Sequence, residues 1–127
     1  MRFMMLVKAD KDYEQGAPPT PALMAAIGAL GQEMVKSGNM LEMGGLAPTS
    51  AGALLNLENG AIRVTDGPFA ESKEVIGGYA VMQAGSKAEA IELARRFLQV
   101  HADVLGKSYR GQVEVRQLFD PPPSARP

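Results

Sequence analysis

The chain has no cysteine and one histidine, His101. The first absence excludes disulfides, thiolate metal sites and cysteine nucleophiles. The second excludes multi-histidine zinc sites and histidine pairs. No Lys/Arg-rich stripe exists, since 13 basic residues are set against 14 acidic ones, so the basic footprint required by nucleic-acid binding is missing. No stretch approaches the ~18 apolar residues of a membrane span. The opening MRFMMLVKAD carries one basic residue and then an apolar run of only five before Lys8, too short for a secretory signal. The expectation is a soluble cytoplasmic protein with no nucleic-acid or membrane partner, no metal and no cofactor. Neither an internal repeat nor an interdomain linker is present, and 127 residues suit one domain, expected over 1–119. The last segment, DPPPSARP, holds four prolines in eight residues and reads as a disordered or extended tail.

What is present alternates between strand and helix patterns. RFMMLVKA places Phe3, Met5 and Val7 on one face and Met4, Leu6 and Lys8 on the other, and a strand apolar on both faces is covered on both. Residues 10–19 read as a loop, whose Asp, Lys, Tyr and Glu content suits either an ordinary connection or the cover of a cleft mouth. Thr20 and Pro21 suit the cap and first position of a helix, whose core stripe is Leu23, Ile27, Leu30 and Met34, and Ser37-Gly38-Asn39 ends it. Strands follow at 40–48, 53–58 and 61–65, the last two joined by the hairpin signal Asn59-Gly60. A strand spans Ile76–Gln83. Ser86 and Glu89 form the capping box of a second helix, with a stripe of Ala90, Ile91, Ala94, Phe97 and Leu98 and a stop at Gly106. QVEVRQLF closes the domain as a strand. The order predicts an α+β plait with an inserted hairpin. Two helices cover one face of such a sheet, and a second copy of the chain is the economical cover for the other.

The stretch TDGPFAESKEVIGGY raises the functional question. Asp66-Gly67-Pro68 is a turn, after which Glu71, Lys73 and Glu74 either keep a loop in water or line a site. Lys73 suits an anionic ligand. His101, in register with Ala94, Phe97 and Leu98, is either a packed core histidine or a general base. Glu114 and Arg116 share one strand face, where they either pair in an interface or face a cavity; Arg116 suits a carboxylate. Phe69, Tyr79 and Met43 offer an apolar wall or ordinary core packing, and Lys8 completes the ligand-binding candidates. No metal-binding motif is present.

VTDGPFAESKEVIGGYAVMQAGS, together with VEVRQLF, resembles the DGPF branch of the YCII-related family. The resemblance implies a ferredoxin-like fold that dimerises as an α+β barrel. It also places Asp66 at a strand end by the barrel mouth, as an acid–base candidate beside His101. The wider family is similar to ring-modifying and dehydrochlorinating enzymes with a suggested His–Asp centre. This chain departs from that pattern, because its first helix has no histidine and Ala47 stands where relatives often carry a polar residue. The resemblance thus implies a homodimeric small-molecule-binding protein, with a lyase or isomerase on a small aromatic or anionic compound as its enzymatic form. The alternative it implies is a non-catalytic interaction or sensor module associated with an extracytoplasmic-function sigma factor, since many members are encoded beside one.

Overall fold

The computed structural model describes residues 1–68 and 75–120. In chain order the elements are β1 (Arg2–Lys8), α1 (Lys11–Glu14), α2 (Pro21–Lys36), β2 (Met40–Gly45), a 3-10 turn (Thr49–Ala51), β3 (Ala53–Glu58), β4 (Ala61–Asp66), β5 (Ile76–Gln83), α3 (Lys87–Leu105) and β6 (Val113–Gln117). Four strands form one antiparallel sheet in the order β2-β5-β1-β6. Both β1 and β2 run antiparallel to β5, so α2 joins two parallel strands across it; α3 joins β5 to β6 across β1 in the same way. Two interleaved β-α-β units with both helices on one face make a ferredoxin-like α+β fold. The expected tail from residue 121 lies outside the described residues.

The caps are those the sequence specifies. Thr20 Oγ1 accepts from the Leu23 backbone N–H at 3.2 Å, and Ser86 Oγ from that of Glu89 at 3.1 Å, each satisfying a donor the helix cannot. Strand alternation assigns the faces. Phe3, Met5, Ala80 and Met82 are buried against Leu30, Met34, Leu93 and Ala94 of the helices. On the helix-free face Met4 lies opposite Val81, and Leu6 opposite Tyr79, all half-buried.

Three readings needed revision. The 10–19 loop contains the four-residue helix α1. The strand expected over 40–48 ends at Gly45, after a bulge between Met40 and Glu42 that turns Leu41 to solvent. In α3 Leu93 joins Ala90 and Ala94 as a buried position, while Ile91, expected in the stripe, is exposed at its edge.

The hairpin turns at Asn59 and Gly60, both at positive φ as a tight two-residue turn requires. It forms its own two-stranded sheet apart from the main one. Its pairs Leu55–Val64 and Leu57–Ile62 share one face, and Asn56–Arg63 the other. The first face is therefore aliphatic, yet its four side chains are 60–74% exposed.

Candidate functional site

A cavity of about 810 Å³ opens between α2, the helix-facing side of the sheet, α1 and the end of α3. That volume suits a small molecule. Glycines line much of it: Gly28 and Gly31 of α2, Gly44-Gly45 of β2 and Gly77-Gly78 of β5. At Gly28 a β-carbon would meet nothing within 4 Å, whereas at Gly31 it would meet the Met43 sulfur at 3.2 Å and at Gly77 the Ala9 β-carbon at 3.0 Å. Buried Met5, Leu30 and Met34 lie deep, whereas Met24, Pro18 and Pro19 are exposed at the mouth.

The polar groups gather where α3 ends. His101 is 6% exposed, and its Nδ1 lies 2.9 Å from the carbonyl of Phe97, one helical turn earlier. Its ring packs against Phe97, at a centroid distance of 4.6 Å, and against Tyr109, at 5.4 Å with an interplanar angle of 26°. Tyr109 follows α3 in the Gly106–Gly111 connection, and its ring lies directly over Gly111, where any β-carbon would collide with it. Burial, with a smaller contribution from the Asp10 carboxylate, raises the Tyr109 phenol above its ordinary value, which favours the protonated hydroxyl.

The segment from Asp10 to Thr20 closes one side of the cavity and is tied down at several points. Asp10 Oδ1 accepts from the Tyr13 N–H at 2.8 Å, and the Tyr13 hydroxyl donates to the Leu46 carbonyl. Glu14 Oε1 accepts from the Thr49 N–H at 2.7 Å, and its other oxygen accepts from the Thr49 hydroxyl. The 3-10 turn so fixed meets the Asp66-Gly67-Pro68 turn, where the Gly67 N–H donates to the Gly52 carbonyl at 2.9 Å. The Asp66-Gly67-Pro68 turn is thus tied to α1 through the 3-10 turn and Glu14.

Of the sequence candidates, His101, Met43, Lys8 and Tyr79 belong to the cavity lining. Met43 shares the helix face with Ala80 and packs its sulfur against Gly31. Tyr79 contributes differently, since its ring covers Gly44 on the helix-free side. There too Lys8 Nζ meets Glu114 at 3.3 Å, and Arg116 lies 3.6 Å from the other Glu114 oxygen. Glu114 and Arg116 of this charged row are not part of the cavity lining, whereas Lys8 is. Asp66 is exposed at the end of β4, outside the lining. Phe69, Glu71, Lys73 and Glu74 lie outside the described residues.

Sequence reasoning missed Tyr109, and singled out neither Asp10 nor Tyr13 within the 10–19 segment that reads as a connection or the cover of a cleft mouth. The two tyrosines stand in short polar connections without periodicity, and only the position of Tyr109 just beyond a helix carrying the single histidine marks it. Among the described residues no three His, Asp or Glu side chains gather as metal ligands, and no helix is long and apolar enough to cross a membrane.

Residues 1–109 match the family model of the YCII-related domain. A protein of Rhizobium meliloti (strain 1021), itself described as uncharacterized, is 32% identical over 96 residues, which cover 76% of this chain and 73% of the relative.

Proposed function

The chain belongs to the YCII-related domain family, and from that premise we propose that it is a homodimeric small-molecule-binding protein whose ligand occupies the cavity under α2. The observation that carries this reading is the glycine-lined cavity of about 810 Å³ with a buried histidine in its wall. A space of that size costs stability through lost dispersion contacts unless something fills it. In its enzymatic form the protein is a lyase or isomerase acting on a small aromatic or anionic compound, with His101 as the group able to move a proton.

Calorimetric titration with small neutral aromatic probes tests the reading. Saturable binding is expected, and it should be lost in Gly28→Leu, because a β-carbon at Gly28 meets no atom within 4 Å and so enters open space. Absence of saturable binding, or full retention in Gly28→Leu, would sink the proposal.

A second reading, a non-catalytic interaction module, is favoured by the solvent-exposed apolar face of the β3–β4 hairpin. An extracytoplasmic-function sigma factor is the partner that reading names. Mixing the two purified proteins and following sedimentation tests it; Leu57→Lys should abolish any complex.

A further inference from the structure

We propose that the cavity selects a neutral hydrogen-bond donor carried on an apolar body, such as an alcohol, a phenol or an N–H group, and that Nε2 of His101 is the acceptor that reads it. The inference rests on the small-molecule reading of the cavity given above.

The tautomer follows from one contact. Nδ1 of His101 faces the Phe97 carbonyl at 2.9 Å. A carbonyl oxygen has no hydrogen to give, so Nδ1 carries the proton and the neutral ring keeps its lone pair on Nε2. That nitrogen makes no hydrogen bond to the described residues, and no fully buried side-chain nitrogen or oxygen among them lacks a partner. Nε2 therefore keeps access to open space, and the cavity is what His101 lines. Phe97 and Tyr109 both pack against the ring and favour this orientation.

Charge decides against an anion. Besides His101, the ionic groups in the described lining are Asp10 and Lys8, and the Lys8 ammonium already meets Glu114 at 3.3 Å. A carboxylate entering among Met5, Leu23, Ile27 and Leu30 would lose its hydration and face the Asp10 charge. A wholly apolar guest would cover Nε2 and leave its lone pair without a donor. A neutral O–H or N–H satisfies both conditions.

Phenol, anisole and benzoate separate the cases, because they share a ring and differ in whether the oxygen carries a hydrogen or a charge. Calorimetry at about pH 8, where an imidazole is ordinarily neutral, should show phenol binding roughly tenfold tighter than anisole, with benzoate weakest. In His101→Phe, phenol's preference over anisole should vanish. Equal binding of phenol and anisole by the unaltered protein overturns the proposal, as does benzoate binding tightest or a preference that survives in His101→Phe. If none of the three binds, the small-molecule reading itself fails, an outcome distinct from the loss of discrimination. If His101→Phe does not fold, the three-ligand comparison on the unaltered protein decides alone.

Discussion

A β-carbon at Gly67 would stand 1.6 Å from the backbone carbonyl oxygen of Thr49. No rotamer relieves a clash between two main chains, so the residue between Asp66 and Pro68 is fixed by contact as well as by turn chemistry. Gly67→Ala should therefore lower stability by about 1–3 kcal/mol in urea denaturation. Gly28→Ala is the matched control: it adds a methyl to open space on a helix and should raise stability by about 0.5–1 kcal/mol. Equal effects would remove the distinction. The sequence identifies both positions as glycine but cannot tell a forbidden β-carbon from a tolerated one, because the neighbour that forbids it is distant in the chain. Tyr109 gives a prediction in pH. Its folded-state value is raised above the ordinary 10.0 chiefly by burial, with Asp10 second. Relative to the unfolded chain the native state holds this proton more tightly, so the stabilisation is complete below pH 10.0 and is lost as pH climbs through the raised value. Ultraviolet titration against Tyr109→Phe should show a phenol titrating late. Asp10→Asn should bring it only part of the way back, and a full return would reverse the order of causes.

At the level of elements, what repeats was legible and what does not repeat was not. Alternation in β1 and β6 requires only local period, and the Asn59-Gly60 turn needs only its own two residues; all three were readable. The four residues of α1 are too few to show a 3.6-residue period, and the cavity draws its lining from six elements and the loops between them. What holds α1 is tertiary: Glu14 accepts both the N–H and the hydroxyl of Thr49. Removing that carboxylate in Glu14→Ala should free the Thr49 amide, whose hydrogen exchange should accelerate roughly tenfold, as expected for a lost bond to a charged acceptor of about 1.5 kcal/mol. Amides in the middle of α2 should keep their rates. Unchanged exchange at Thr49 would mean that the segment is held by the Tyr13–Leu46 contact alone.

For the whole molecule the unbalanced feature is apolar surface. The two long helices lie on one face of the main sheet, leaving Met4, Leu6, Tyr79 and Val81 in a row on the other, and the hairpin presents four more aliphatic side chains. An isolated chain would keep all of this against water at about 25 cal/mol per Å². A two-fold dimer in which the helix-free faces meet covers the Met4, Leu6, Tyr79 and Val81 row twice with one contact, which is why self-association is the expected solution. Sedimentation should give a dimer at micromolar concentration. Val81 is the position to alter, because it lies at the centre of the face, opposite Met4 on one side and Glu42 on the other. In Val81→Lys the new ammonium can reach towards Glu42 within one chain, so the monomer keeps its fold, while a dimer would have to bury an added charge in its interface. The variant should sediment as a folded monomer. A dimer that persists unchanged in Val81→Lys would move the interface elsewhere, with the hairpin face next in line, and a monomeric unaltered protein would leave both apolar faces without the partner their composition calls for.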